Sequence, residues 1–457
     1  MPRPKPSRKA DPTVRRARAE TRRAGRGSLP EHLPRIEVVI APETTACTCC
    51  GSVMQVIGED RSSRLDVIPA QYRVIVTRRP KYACRNCQEG VVQAAAPARL
   101  IAGGVPTERL VAQSLPRRRP GCWWRNTPIT ALCTANPKFW RGRVSRQGIA
   151  IDRSTLAFWV GYAAAEIAPL WRLMRQELLR STKLFVDETT APVLDPGRGR
   201  TKTGCFWVLA RDDRPWRGRA PPAVVYSYAP GRGSKHAIAL LRGYTGVLQT
   251  DAYAAYDKLA DPKRVGGPVR LAYCWTHWRR KFFDLAKTAP APIAIEALRR
   301  IAELCRIEAE IRDSSADQRR AVRQQKTKPL IEALKTWLEE MLRQLPSGSS
   351  TATAIRYGFN QWEGLLHFLD DGRIEIDSNT IERSMRPVAL NRKNALFAGS
   401  DEGAENWAML ASLIETCKLH GINPHACLTD VLTRLVNNWP NRRLAERLPW
   451  AWNPEAS

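Results

Sequence analysis

No apolar run in the 457-residue chain approaches the ~18–20 residues that a membrane-spanning helix needs. The basic start, MPRPKPSRKADP, has no apolar stretch behind it, so no secretory leader is expected. There is no Gly-Lys pair, which excludes a Walker-type phosphate loop, and no H-E-x-x-H zinc-protease signature. No self-similarity at a 20–50-residue period points to a repeat architecture. Acid is also scarce. Against 73 Lys and Arg stand 44 Asp and Glu, a formal net charge of +29. Such a field attracts polyanions, nucleic acid first and an anionic membrane surface second. Hydrophobic residues, at 43%, suffice for real cores. At about 100–200 residues per domain, the length suggests roughly two to four domains.

The excess of base is uneven. Residues 1–35 hold 11 basic and 3 acidic residues, and residues 116–146 hold 8 basic residues and no acid. These 66 residues carry 16 of the 29 charges, which leaves +13 on the other 391. Residues 1–35 are rich in Arg, Pro and Ala and read as a disordered basic arm.

Twelve Cys without an export signal point to a reducing, cytoplasmic setting, and so to thiols or metal ligands rather than disulfides. Cys47-x-x-Cys50 and Cys84-x-x-Cys87 are separated by 33 residues. Each two-residue spacing lets both sulfurs face one ion, so the four thiolates can close a tetrahedral site around one structural Zn2+. Gly51 suits the tight turn after the first pair, and Cys49 inside it reads as a bystander. Buried free thiols and an iron–sulfur site are the competing readings. A zinc ribbon in a basic protein can grip nucleic acid or act purely as a staple for a small core.

Periodicity sets the fold class. Residues 154–180 place Leu156, Trp159, Val160, Ala163, Ile167, Leu170, Met174 and Leu178 at helical spacing, with Pro169 a candidate kink. Four apolar runs bounded by turn signals then read as strands: 184–194, 205–210, 223–229 and 246–253. Residues 271–287 read as a strand entering a helix, 292–312 and 328–345 as amphipathic helices joined by a charged connector, and 403–437 as mostly helical. Strands followed by helices make the centre α/β, with helical additions.

Two aspartates sit where apolar strands emerge: Asp187 in KLFVDETT and Asp251 in VLQTDAYAAY. Carboxylates so placed are held rigidly and suit a pair of Mg2+ ions acting on a phosphodiester. For either Asp alone, a turn former or helix cap is the bland alternative. Glu382 is the third candidate. With Asn379 it has the spacing of a capping box, and on spacing alone that reading wins. Its company of Arg383, Arg386, Arg392 and Lys393 favours instead a metal ligand beside a phosphate backbone. His277-x-x-Arg280 fits a tyrosine-recombinase element, but the only later Tyr is Tyr357, 77 residues on, so that class is set aside. His277 reads as a packing or DNA-contact residue.

VDETTAPVLDPGRGRTKTG (186–204), LQTDAYAAY (248–256), CWTHWRRKFFD (274–284), DSNTIERSMRPVALNRKNALFAGSDEGAENW (377–407) and SLIETCKLHGINP (412–424) resemble the IS66-type insertion-sequence transposases. So do CTCCG (47–51) and RPKYACRNC (79–87), which are similar to the family's zinc-binding module. The resemblance covers about residues 30–115 and 147–452. It implies a DDE transposase with an RNase H-like core, in which Asp187 and Asp251 match the two aspartates and Glu382 the glutamate. Glu188, the neighbour open to confusion, is passed over because the family motif places the first carboxylate at Asp187. The implied chemistry is Mg2+-dependent: water cleaves at the element's ends, and a 3′-hydroxyl then attacks target DNA. Arg279, Arg280, Arg383, Arg386, Arg392 and Lys393 are the cations expected on that DNA.

The expected organisation is a basic arm (1–35), a zinc-ribbon-like module (36–98), a helical DNA-binding linker (99–182), the core's first part (183–290), a helical insertion (291–370), the core's last part with Glu382 (371–400) and a helical C-terminal region (401–457). Expected partners are element-end and target DNA, further copies of the chain on that DNA, and small accessory proteins of the same element, with no membrane, in the bacterial cytoplasm at the nucleoid. Two departures from the family stand out. The chain starts closer to the zinc module than is usual. Residues 116–146, with seven Arg and three Trp, do not resemble the family although both flanks do. That block reads as translated out of frame between compensating frameshifts, against a real basic–aromatic DNA-binding insertion. A remnant that binds DNA without chemistry, and a structure-specific nuclease on the same core, are the rival functions.

Overall fold

The computed structural model describes residues 29–68, 71–86, 91–102, 104–114, 153–195, 197–288, 290–395 and 397–454. Most of the basic arm, Cys87 and the whole 116–146 block lie outside the described residues. The described residues fall into two compact units, one built on 29–97 and 104–110, the other on 153–454.

The first unit is a small sheet. Strands β2 (Gln55–Ile68) and β3 (Gln71–Ala83) pair antiparallel along almost their whole length. On the other edge of β3 lie β1 (Arg35–Val39), parallel, and β4 (Val91–Gln93), antiparallel. The cross-strand pairs Leu65↔Val74 and Val67↔Tyr72 are buried and form the apolar centre. Asp66, also buried, accepts from Arg73 Nε at 2.6 Å and Thr107 Oγ1 at 2.7 Å, so its charge is compensated.

The second unit is mixed α/β with a helical C-terminal region. Its five strands are β5 (Lys183–Asp195), β6 (Arg200–Arg211), β7 (Ala223–Ala229), β8 (Val247–Thr250) and β9 (Arg270–Tyr273). They are ordered β7-β6-β5-β8-β9. β5, β6 and β7 pair antiparallel, whereas β5, β8 and β9 run parallel. The centre of β6, Cys205 to Ala210, is buried without interruption, as a strand covered on both faces requires.

Helix α1 (Arg153–Leu179) runs through Pro169, and its eight predicted core positions from Leu156 to Leu178 are all buried. Short α2 (Ser234–Leu240) follows β7. Helix α3 (Trp275–Thr288) leaves β9 and opens a second core with α4 (Pro292–Glu310), α6 (Lys328–Gln344), α7 (Ser350–Phe359) and α8 (Trp362–Asp370), while α5 (Ala316–Val322) lies between α4 and α6 in the chain. Trp275 and Trp278 are its anchors, and their indole N–H groups donate to the carbonyls of Leu365 and Ala354, both at 2.9 Å. Gly358 is required there, because a Cβ at that position would stand 2.0 Å from the Trp278 ring. The stretch expected as a charged connector is instead α5 followed by a π turn over Arg323–Thr327, with Arg319 and Arg323 buried. Their charges are met by Glu308 and Glu375, Arg323 gripping Glu308 through two bonds of 2.7 and 2.6 Å.

Helices α9 (Asn379–Ala395), α10 (Asp401–Leu419) and α11 (Pro424–Val436) complete the chain. Helix α10 shields the outer strand β7. The buried hydroxyls of Thr416 and Ser412 accept from the backbone N–H groups of Val224 at 3.1 Å and Tyr226 at 2.9 Å. These polar residues of the SLIETCK motif thus close a sheet edge that would otherwise offer unpaired donors.

Candidate thiolate centre and carboxylate cluster

In the first unit, Cys47, Cys50 and Cys84 place their sulfurs within 4.8 Å of one another. The Cys50 and Cys84 sulfurs are 3.5 Å apart. The knuckle is folded by backbone bonds from Cys47 N–H to Ser52 O and from Gly51 N–H to Cys47 O, both 2.9 Å, with Gly51 at φ +71°. Asn86 Nδ2 donates to Ser52 Oγ at 2.7 Å and so ties the second knuckle to the first. Hydrogen bonds from the Ser52 side chain and backbone, aided by Cys84, hold the Cys50 thiol down at about 6, which favours the thiolate a metal takes. Cys49 is exposed and outside the group. The fourth expected ligand, Cys87, is not among the described residues. Three converging thiols suit Zn2+.

In the second unit the carboxylates start from neighbouring strands. β5 and β8 pair in parallel with Lys183 opposite Val247, Leu184 opposite Leu248 and Phe185 opposite Gln249. Continued two residues onward, that register brings Asp187 level with Asp251. Asp251 lies just past the strand end, where its Oδ1 accepts the Tyr253 N–H at 3.0 Å. Ala252, between them, sits at φ +67°. A left-handed alanine is held only where the surroundings dictate it, and here it aims the Asp251 loop.

Burial, then the charges of Asp251 and Glu188, push the Asp187 carboxyl up to about 7, although a Glu188 N–H bond of 2.7 Å and His277 pull the other way. Two adjacent carboxylates resist joint ionisation, and a cation between them would relieve both. Glu188 points elsewhere, since successive strand residues face opposite ways. Its side chain is fully buried, pairs with Arg232 at 2.6 Å and accepts from Tyr256 Oη. The Arg232 guanidinium stacks over Tyr253 at 4.2 Å. Glu188 is thus saturated by protein partners, while Asp187 is left free to take a ligand.

Glu382 comes from α9, whose start is fixed by Gln249 on β8. The fully buried Gln249 donates to the carbonyls of Glu375 at 2.6 Å and Asp377 at 2.7 Å and accepts from Glu375 N–H at 3.2 Å. Trp275 N–H adds a bond to Ile376 O at 3.0 Å. The capping box expected from the Asn379/Glu382 spacing does not form. Asn379 is the helix's first residue, and its N–H donates to Asp377 Oδ1 at 3.0 Å. Released from capping, Glu382 stands with Oε1 4.0 Å from His277 Nε2, both side chains about one-third exposed at 32% and 28%. At its far end α9 is followed by a bridge to β5, Ala398 N–H to Pro192 O at 2.9 Å.

Sequence reasoning therefore missed His277 as a member of this cluster. The signal was available in Cys274-x-x-His277 directly after a strand, a spacing that puts both side chains on one side of a helix start. Arg280, Arg383 and Arg386 are exposed, and Arg279 lies 5.9 Å over the Phe283 ring. The side chains of Arg392 and Lys393 are not among those described. No helix among the described residues is long and apolar enough to cross a membrane.

Comparison with known proteins agrees with this division. The family described as "Transposase IS66 family" matches residues 141–406, "zinc-finger binding domain of transposase IS66" matches 44–88, and "IS66 C-terminal element" matches 412–450. The zinc-finger match and the three-thiol group together support Zn2+ in the first unit. Among curated proteins of Sinorhizobium fredii, the chain is similar to uncharacterized protein y4jD, 42% identical over 94% of this chain and 82% of that one. Similar matches are uncharacterized protein y4qI, 42% identical over 93% and 77%, and y4hP, 38% identical over 94% and 77%.

Proposed function

Because the chain belongs to the IS66 transposase family, we propose that it moves an insertion sequence by DDE-type phosphoryl transfer, with Asp187, Asp251 and Glu382 as the working carboxylates of an RNase H-like core. The observation that supports this reading is the parallel β5–β8 register, which continued two residues onward sets Asp187 level with Asp251, while the Gln249 bonds fix the segment that leads into the helix of Glu382. All three offer hard oxygen donors, which suit Mg2+. Two bound Mg2+ ions would supply activation of the attacking hydroxyl and stabilisation of the leaving oxygen.

The chain's own residues do the rest. Asp187 binds from within β5, eight residues before the strand's end rather than at the end the sequence suggested, Asp251 binds from just past the end of β8, and Glu382 closes the set from its helix. Exposed Arg280, Arg383 and Arg386, with Arg279, hold the DNA phosphates in line. Water first cleaves the phosphodiester at an element end, and the freed 3′-hydroxyl then attacks a target phosphodiester. On this reading residues 183–290 and 371–400 form the core, 291–370 an insertion and 36–98 a zinc module. The family match takes in 141–146, so of the block expected to be foreign only residues 116–140 still read as out of frame, which re-translation of the encoding DNA checks. The chain would act as an oligomer on element-end and target DNA, with accessory proteins of its element, in the bacterial cytoplasm.

The test is Mg2+-dependent cleavage and strand transfer on cognate end DNA. Asp251→Ala should lower the rate by about 10³-fold or more while DNA binding persists. Activity that survives Asp251→Ala overturns the carboxylate assignment. DNA binding without cleavage by the unaltered chain points instead to an inactive remnant.

A further inference from the structure

We propose that Cys274, His277 and Glu382 form a second zinc site, distinct in donor chemistry from the four-cysteine centre, and that zinc bound there withdraws Glu382 from Mg2+-dependent chemistry. Cys274 ends the β9 connection and His277 lies in the first turn of α3, three residues on, while Glu382 faces them from the first turn of α9. One donor atom from each lies within 4.8 Å of the other two, and His277 Nε2 is 4.0 Å from Glu382 Oε1. Around a tetrahedral ion with bonds of ~2.0–2.3 Å, donors stand ~3.3–3.8 Å apart, so side-chain rotations of about 1 Å close the set.

The donors choose the metal. A sulfur, an imidazole nitrogen and a carboxylate oxygen make a borderline-soft set that takes Zn2+ in preference to Mg2+, and three protein ligands leave a fourth position for water. His277 Nδ1 is buried and has no hydrogen-bond partner among the described residues, so none of them commits the ring on that side to a structural role. Cys274 is 2% exposed, which shields its sulfur from oxidants. On binding, the Cys274 thiol gives its proton to solvent and the sulfur binds zinc as thiolate, so zinc uptake releases one proton from that ligand.

Zinc binding itself stands on these three side chains. Only its inhibitory effect rests on the reading of Glu382 as an Mg2+ ligand. The full-length chain is loaded with Zn2+, desalted and assayed for zinc by elemental analysis, beside Cys274→Ser and His277→Gln. Circular dichroism checks that each variant folds, and either variant alone is sufficient. Two zinc ions per chain are expected in the unaltered protein and one in each variant, with affinity at the second site lowered at least about 100-fold. One zinc per chain in all three proteins overturns the proposal, as does a second zinc that both variants retain.

In parallel, Mg2+-dependent cleavage is measured with and without added Zn2+, each protein against its own zinc-free rate. Zinc should depress the unaltered protein by about tenfold or more at saturation and spare Cys274→Ser. A second zinc that binds at these residues without inhibiting cleavage refutes the withdrawal of Glu382. If no protein cleaves DNA under any condition, the carboxylate reading fails while the zinc count still decides the site.

Discussion

The Asp187–Asp251 pair should cost the metal-free fold stability in a pH-dependent way that a single substitution removes. Asp187 stands at about 7 against an ordinary 3.8, chiefly through burial and then through the charges of Asp251 and Glu188. The folded chain therefore keeps a proton that the unfolded chain releases between those values. Where the folded state binds more protons, stability falls as pH rises, so the loss develops through pH 4 to 7 and is complete above 7. At ~1.36 kcal/mol per pH unit, the gap is worth at most about 4 kcal/mol. Asp187→Asn mimics the protonated form. It should match the unaltered protein to within about 1 kcal/mol at pH 4 and exceed it by about 2–4 kcal/mol at pH 8. Asp213 and Asp377, also raised by burial, titrate in both proteins and cancel in the difference. Urea unfolding followed by tryptophan fluorescence reports mainly on the second unit, because residues 29–110 contain no Trp. Mg2+ at a hundredfold excess over its Kd should restore about 2.7 kcal/mol to the unaltered protein at pH 8 and little to the variant. Equal stabilities at pH 8, or a less stable Asp187→Asn, refute the charge-repulsion argument.

The other expectations concern the thiolate centre, the buried ion network and the basic surface. Cys84→Ser should abolish zinc binding in the first unit and lower its melting temperature, as read by elemental analysis and calorimetry, because three-thiol geometry collapses without a buried sulfur. Arg323→Met should destabilise the second unit by about 3–5 kcal/mol in urea, since Glu308 is left buried with only its long 3.5 Å contact to Arg319. Arg386→Ala should weaken DNA binding and reduce the slope of log K against log salt by about one, in a filter-binding titration, with no change in urea stability.

How much of this was legible in the sequence follows from the range of each interaction. The runs at 184–194, 205–210 and 223–229 fall on β5, β6 and β7 because short, β-prone, largely apolar stretches between turn signals favour covered strands. Asp187 and Asp251 were visible as carboxylates following three or four apolar residues, although Asp187 proves to lie inside β5 and only Asp251 past a strand end. Arg319 and Arg323 were not legible as core, since their partners Glu308 and Glu375 lie 11 to 56 residues away and the local string DQRRAVRQQK reads only as solvated charge. The capping box failed for a local reason that spacing rules overlook. Asp377, two residues before Asn379, reaches the same N–H first. Gln249 looked like one polar residue in an apolar run, and its clamp on Glu375 and Asp377 depends on chain 126 and 128 residues later.

The formal charge also takes on a different meaning once burial is known. Lys183, Arg211, Arg319, Arg323 and Arg447 are all buried, and the four arginines among them are held by carboxylates or backbone carbonyls of the second unit. The four arginines hold the fold together, and none of the five buried side chains is presented to a phosphate. Arg280, Arg383 and Arg386, by contrast, are exposed on the two helices that carry His277 and Glu382. A field of given net charge steers a polyanion broadly, but only unpaired surface cations release counterions on contact. On the proposed reading, carboxylates left bare would repel DNA, so exposed arginines and a bound cation would have to act together there. The case for DNA thus rests on the family and on these exposed arginines, and very little on the sum of +29.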